Sequence, residues 1–188
     1  DLLGQIPWID REAFIDTRAT LPLVAQPGTT FAYGFSTDVL GMIVAKLDGM
    51  SLGQSLKTRI FDRLGMHDTG FEVPASKQAR LASAFPDDSA WYARVAGYGM
   101  RKPGQPWMES GGAGLVSTIS DFASFARMLA NGGRLGSERL ISENLFGQMR
   151  RNQLPESAGG PFAYTGSGFG FGLGLAIRLD WGPGAMPC

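Results

Sequence analysis

The side chains of this sequence that could carry out chemistry are few, and they limit the reactions it could support. It contains one histidine, His67, and one cysteine, Cys188. A Ser-His-Asp triad would have to use His67. A zinc site would have at most one imidazole and one thiolate among its ligands. The sequence Gly34-Phe35-Ser36-Thr37-Asp38 resembles the nucleophile elbow G-x-S-x-G, but Asp38 stands where the final glycine is required. The common histidine- and metal-dependent hydrolases are therefore disfavoured.

Two further catalytic motifs are present only in part. Asp68-Thr69-Gly70 matches the triplet of an aspartic-protease dyad, in which two carboxyl groups share a proton. It occurs once and follows the predicted end of a helix, so a turn is the better interpretation. No G-x-x-x-x-G-K-[ST] sequence occurs, and the glycines from Gly166 to Gly174 do not open a helix, so no phosphate-binding loop is indicated.

Charge and length exclude other classes of function. The 17 Lys and Arg residues balance the 17 Asp and Glu residues, so the formal net charge is zero. Such a chain has no field of one sign to attract nucleic acid or anionic lipid, and we predict no nucleic-acid partner. Its apolar runs are too short for a membrane span. The 188 residues suit one domain or a piece of a larger one.

Two helices are predicted in the first part of the chain. A short one covers residues 10–18. Apolar residues at helical spacing predict the second over residues 38–48, with Ser36 or Thr37 as its N-cap. Gly49 follows it, where a residue in the left-handed conformation commonly ends a helix. This second helix follows a turn predicted at residues 26–30.

Further helices are predicted along the chain, and a strand near its end. Ser51 and Gly65 bound a helix over residues 52–64, and Thr118 with Asp121 forms a variant capping box for a helix that ends at Ala130. Two more elements are a helix over residues 143–150, capped by Ser142, and one strand over residues 169–179, where large and small residues alternate.

The most specific signal is a set of three blocks in a fixed order. The first runs from Pro27 to Gly41 and places Tyr33 five residues before Asp38-Val39-Leu40-Gly41. The second ends in L-G-M-x-D-T-x-F at residues 64–71, and the third is Gly111-Gly112-Ala113-Gly114-Leu115 with the residues that follow it. Together they resemble the serine β-lactamase and penicillin-binding protein superfamily, and most of all its β-lactamase-like carboxylesterases.

The resemblance implies an α/β fold of the β-lactamase/transpeptidase-like type, an antiparallel sheet with flanking helices and a mainly helical subdomain. The chain would be part of one such domain, residues 1–188, supplying the helical subdomain and one strand of the sheet. The implied chemistry is hydrolysis of short-chain acyl esters through an acyl-serine, with no metal or cofactor. Tyr33 is then the general base, and the substrate-binding candidates are Phe35, Tyr98, Gly111 and Gly112.

Two motifs of that superfamily are not found in the sequence. Its nucleophile lies in S-x-x-K, but the residues three positions before the lysines are Ile43, Gln54, Pro74 and Gly99. The third motif, a K-T-G, H-T-G or W-G-G-like strand, is not found either, because Trp181-Gly182-Pro183 is better interpreted as a loop. We therefore expect the 188 residues to be a fragment that does not hydrolyse a substrate by itself.

Three interpretations remain open at this stage. The parent protein is an esterase acting on a small-molecule ester, or a β-lactamase or D-amino-acid peptidase, or a non-catalytic penicillin-binding-like binding module. Phe35 favours esters, because β-lactamases and peptidases of the superfamily often have an asparagine at that position. The compartment and the oligomeric state cannot be inferred from these residues.

Overall fold

A computed structural model describes residues 11–82, 109–155, 158 and 168–179 of the chain. These residues fall in two units. One comprises Asp1–Leu21 and Gly34–Arg127, and the other comprises Pro22–Tyr33 and Met128–Cys188. Within the described residues, no helix has the length and apolar content needed to cross a membrane.

The first unit is mainly helical and confirms the predicted helices. Helix α1 covers Arg11–Ala19, α2 covers Ser36–Asp48 and α3 covers Leu52–Leu56. The predicted helix over residues 52–64 is continuous but changes its hydrogen bonding. A π-helical turn, Lys57–Phe61, follows α3 and leads into α4, Asp62–Leu64. A 3-10 helix covers Ala75–Arg80.

The ends of these helices follow from residues with capping chemistry. Gly49 and Gly65 adopt φ of 65° and 68°, the left-handed conformation that glycine takes without a steric penalty. Ser51 forms a full capping box with Gln54 at the start of α3. The prediction of Ser36 or Thr37 as the N-cap of α2 is wrong. Phe35 occupies that position and has no side-chain cap hydrogen bond.

The core of the first unit includes two small apolar clusters that contain residues of α2. Phe14 of α1 is fully buried and packs with Met42 of α2. Ala45 of the same helix packs with Leu52 and Phe71, with Val44 and Leu56 partly buried against them. Helix α2 therefore connects both clusters.

Helix α5, Ile119–Ala130, begins as predicted at a threonine cap, where Thr118 Oγ1 accepts a hydrogen bond from the Asp121 N–H at 3.2 Å. The loop before it pairs with the segment after α4. Gly70 and Val116 form an antiparallel bridge with N···O distances of 3.0 and 2.8 Å. Within the first unit, this bridge links the second sequence block to the third.

The second unit contains two antiparallel hairpins and one helix in its described part. Strands β1, Arg134–Leu135, and β2, Glu138–Arg139, form the first hairpin. Helix α6, Glu143–Met149, is capped by the predicted Ser142, whose Oγ accepts a hydrogen bond from Leu145 N–H at 3.2 Å. Strands β3, Phe169–Phe171, and β4, Ala176–Arg178, form the second hairpin.

The prediction of one strand over residues 169–179 is wrong, because the chain turns back on itself in the middle. Gly172 N–H donates to Leu175 O at 2.7 Å, and Gly174 has a φ of 79°. A Cβ on Gly172 would lie 2.0 Å from Met149 O, so this glycine lets two backbones approach. The alternation of glycine and large residues is compatible with a hairpin and with a single strand.

Candidate functional site

Tyr33 lies at the end of a loop that leads into α2. The predicted turn before it is present, with Thr29 N–H donating to Gln26 O at 3.1 Å and Gly28 at a φ of 83°. The Tyr33 side chain is 66% exposed, three positions before the first residue of α2. Its phenol is therefore accessible from solvent, as a residue that acts on a ligand must be.

Phe35, a substrate-binding candidate, is half-buried and packs against the Phe14 and Met42 cluster of the first unit. Its ring meets the Phe14 ring edge-on, with centroids 5.8 Å apart. The Arg18 guanidinium lies 4.4 Å from the centre of the Phe35 ring and 3.9 Å from that of Phe14. These contacts give Phe35 a part in the core, and its role toward a substrate stays a prediction.

Gly111 and Gly112, two other candidates, pack directly on the first turn of α2. A Cβ on Gly111 would lie 2.0 Å from Thr37 O and 3.1 Å from Gly41 N. A Cβ on Gly112 would lie 2.9 Å from both the Asp38 carboxylate and the Thr37 hydroxyl oxygen. Gly111 is needed for this close approach of two backbones, whereas Gly112 faces side-chain atoms. The contact of either glycine with a substrate stays a prediction.

Residues 110–114 form a glycine loop, and Ser110 joins this loop to Asp38. The sequence analysis missed this pairing. The Ser110 hydroxyl donates to the carboxylate of Asp38, which is buried, and accepts from Gly112 N–H at 3.0 Å and Ala113 N–H at 2.9 Å. The two residues are 72 positions apart, so no local pattern could reveal the contact. With its proton and its oxygen both engaged, this serine is not an available nucleophile.

Glu109 makes the corresponding contact with α3. One carboxylate oxygen accepts from Gly53 N–H at 2.7 Å, and the other accepts from the Ser51 hydroxyl at 3.2 Å. A carboxylate at this place compensates the unpaired N–H groups and the positive end of the helix. Residues 109–111 therefore contact the beginnings of two helices.

A cavity of about 440 Å³ opens between α2, α3 and the glycine loop. Its walls are formed by apolar side chains and by the backbone of residues 110–114. The apolar lining residues are Leu40, Val44, Leu52, Leu56 and Leu115. The first unit thus contains a largely apolar recess next to Ser110.

The Asp68-Thr69-Gly70 triplet is a structural turn, as interpreted from the sequence. The Asp68 carboxylate binds Lys77 Nζ and, at 2.8 Å, Arg80. These hydrogen bonds, that of Lys77 first, lower the pKa of the Asp68 carboxyl below its ordinary value. His67 is exposed beside it. The Asp68 carboxylate is thus paired with two cations.

Tyr98, the remaining candidate, lies outside the described residues. Within the part of the chain that the structure describes, no three His, Cys, Asp or Glu side chains form a group that could hold a metal ion.

Comparison with solved structures defines the fold class. The chain superposes on EstCE1, a hydrolase with promiscuous acyltransferase activity, with a TM-score of 0.70 and 24% identity, covering 99% of this chain and 52% of that one. The fold is therefore β-lactamase/transpeptidase-like, in which helices flank an antiparallel sheet, and the two hairpins and helices described above are a part of it.

The sequence identifies the family within that class. Residues 4–185 match the Beta-lactamase family model, and the chain belongs to this family of serine hydrolases. It is 34% identical over 145 residues to protein Rv1367c of Mycobacterium tuberculosis (77% of this chain) and 33% identical over 147 residues to lovastatin esterase of Penicillium rubens (76% of this chain). The chain spans only 36% of the length of each of these relatives.

Proposed function

We propose that this chain is part of a serine esterase that cleaves short-chain acyl esters through an acyl-enzyme, with Tyr33 as general base. The proposal rests chiefly on one observation. Tyr33 is exposed and lies between a Pro-Gly turn and α2. It stands five residues before Asp38-Val39-Leu40-Gly41, which is the spacing of the carboxylesterase motif. The similarity to lovastatin esterase supports an ester as the substrate.

The reaction needs Tyr33 to accept and return a proton. A serine hydroxyl attacks the ester carbonyl while the Tyr33 phenolate takes its proton, and that proton passes to the departing alcohol. Water then attacks the acyl-serine and loses a proton to Tyr33, and this proton returns to the serine oxygen as the carboxylic acid leaves. A free phenol has a pKa of about 10, so a cation beside Tyr33 is required to favour the phenolate.

The serine and that cation would come from an S-x-x-K motif, which these 188 residues do not contain. Ser110 does not replace it, because its hydroxyl is engaged with Asp38 and two backbone N–H groups. We therefore propose that the 188 residues are inactive by themselves and that the parent protein is active.

The test is the hydrolysis of p-nitrophenyl butyrate by the parent protein and by its Tyr33→Phe variant. Removing a general base lowers kcat by at least about 100-fold. Tyr164→Phe makes the same chemical change elsewhere in the sequence and serves as control. Full activity of Tyr33→Phe contradicts the assignment of the base.

Two further substrates test the class of reaction. A cephalosporin and a D-Ala-D-Ala peptide are assayed beside the ester. Faster turnover of either would identify a β-lactamase or a peptidase instead. Binding of these compounds with no turnover of any would identify the non-catalytic binding module.

A further inference from the structure

We propose that Phe171 of β3 is a positioning residue for Tyr33 and that it acts through the ring of Phe31. The proposal rests on the proposed function, because it concerns where the proposed general base lies. The contact between the two phenylalanine rings can be tested without any activity.

The segment that ends at Tyr33 packs with the second unit of the chain. Residues Pro22–Tyr33 form one unit with Met128–Cys188, which contains the β3–β4 hairpin. The Tyr33 side chain is 66% exposed, so its own packing does little to fix the phenol. Gly34 follows it, and glycine restricts the backbone less than any other residue. The location of Tyr33 therefore depends on where the backbone before it is held.

Phe31 holds that backbone two positions before Tyr33. Its half-buried ring lies against the Phe171 ring, with centroids 5.1 Å apart and ring planes inclined by 41°. Aromatic rings at this distance attract each other in addition to the effect of their buried area. The Phe31 N–H also donates to Ala158 O at 3.3 Å. Because Ala32 alone separates Phe31 from Tyr33, a shift of Phe31 moves the Tyr33 backbone.

The backbone of Phe171 is held on both edges of β3. On one edge it lies opposite Ala176 of β4. On the other edge its N–H donates to Asn152 Oδ1 at 3.1 Å, and its carbonyl oxygen accepts from Gln153 N–H at 2.8 Å. A Cβ on Gly170 would lie 2.3 Å from Asn152 Oδ1, so the glycine leaves room for the Asn152 side chain. Phe171 is therefore a fixed support for the Phe31 ring.

This support affects the chemical step of the proposed reaction. A general base acts only within hydrogen-bond reach of the proton that it takes. Tyr33 would take the proton of the serine hydroxyl, so a displaced Tyr33 slows the attack on the ester. Phe171 touches no substrate in this proposal. Its loss therefore lowers kcat and changes KM little.

Two phenylalanines of β3 give a matched pair of variants. Phe169 is half-buried like Phe171, but its ring lies under the Arg178 guanidinium, 5.2 Å from the ring centre. Hydrolysis of p-nitrophenyl butyrate by the parent protein is measured for both. We expect Phe171→Ala to lower kcat about tenfold with KM changed by less than about twofold. Phe169→Ala is expected to leave kcat unchanged, and Phe171→Tyr, which keeps the ring, to restore it.

A double-mutant cycle tests whether the effect passes through the ring contact. Phe31→Leu and Phe171→Leu each remove a ring but keep a large apolar side chain, so they also serve if Phe171→Ala does not fold. We expect each to lower kcat about threefold, and the double variant to lower it no further, because both break the same contact. A loss of about ninefold in the double variant would mean independent effects and would overturn the route through Phe31.

The structural part of the proposal is measured on this chain by NMR relaxation of backbone amides. In Phe171→Ala we expect the order parameter of the Tyr33 N–H to fall from about 0.85, typical of rigid backbone, to below about 0.6. The Thr29 N–H, which is bonded within its own turn, is expected to keep its value. Phe169→Ala should change neither amide. A Tyr33 value that stays the same in Phe171→Ala, or that is already low in the native chain, contradicts the support.

The positioning role and the proposed function fail in different ways. If Tyr33→Phe is inactive but Phe171→Ala keeps full kcat, the positioning role is wrong and the proposed function stands. Equal losses of kcat in Phe171→Ala and Phe169→Ala would show a general effect on the hairpin and also overturn the role. If Tyr33→Phe is fully active, the proposed function is wrong and the positioning role with it. The relaxation measurement then still decides whether Phe171 holds the segment.

Discussion

The carboxylate of Asp121, in the first turn of α5, accepts a hydrogen bond from the backbone N–H of Asp68 at 2.8 Å. The two residues are 53 positions apart. The same oxygen accepts the Thr69 hydroxyl at 2.8 Å, and Asp121 is buried. One carboxylate thus joins the second and third sequence blocks.

Replacing Asp121 by alanine is expected to destabilise the protein. Two donors lose their acceptor in a buried place, which costs about 1–3 kcal/mol in the free energy of unfolding. Urea denaturation followed by circular dichroism measures this. Glu143→Ala is the control, because Glu143 is 86% exposed and its ion pair with Arg139 contributes little. Equal effects of both variants would contradict the role of Asp121.

Acid is expected to weaken the fold partly through Asp68. Lys77 and Arg80 hold the pKa of the Asp68 carboxyl below its ordinary value of about 3.9. A lowered folded-state pKa stabilises the protein above the unfolded-state pKa, and this contribution is lost as the pH falls through the folded-state pKa. The loss therefore occurs below about pH 4.

The measurement is the urea midpoint at pH 5 and at pH 3 for the native protein and for Asp68→Asn. We expect the drop between the two pH values to be smaller in the variant, which has no carboxyl to protonate. An equal drop would show that Asp68 makes no contribution.

Replacing Gly111 and Gly147 by alanine is expected to change the thermal stability of the protein in opposite directions. At Gly111, the new Cβ would meet Thr37 O at 2.0 Å, and the backbone must move, at a cost of at least about 2 kcal/mol. At Gly147, inside α6, the Cβ would meet nothing within 4 Å. Alanine there favours the helix by about 0.5–1 kcal/mol. Thermal unfolding of both variants gives the two signs, and a stable Gly111→Ala would refute the close packing.

Phe35→Ala is expected to affect stability before it affects substrate preference. Removing a half-buried ring that packs on Phe14 and Arg18 costs about 2 kcal/mol, below the range for a fully buried phenylalanine. Urea denaturation measures the loss. An unchanged midpoint together with a changed KM for the ester would instead assign Phe35 to the substrate site.

Local patterns in the sequence predicted the helices because helix boundaries depend on nearby residues. Ser51 caps a helix with its own side chain, and Gly49 and Gly65 end helices in the left-handed conformation. The spacing of apolar residues shows which face of each helix is buried. The family and its fold were also predicted from short blocks in order. Where one pattern suits two structures, as in residues 169–179, the sequence alone predicted a strand in place of a hairpin.

The contacts between residues far apart in the sequence are visible only in the folded protein. Ser110 and Asp38, Glu109 and Gly53, and Asp121 and Asp68 are hydrogen-bonded across at least 53 positions. No periodicity encodes such pairs, because they depend on how helices pack after they have formed. The helices, the family and the tyrosine candidate could be predicted without a structure. Only the packing showed that Gly111 lies against α2 and that Phe35 belongs to the core, since close approach and burial are properties of the folded chain.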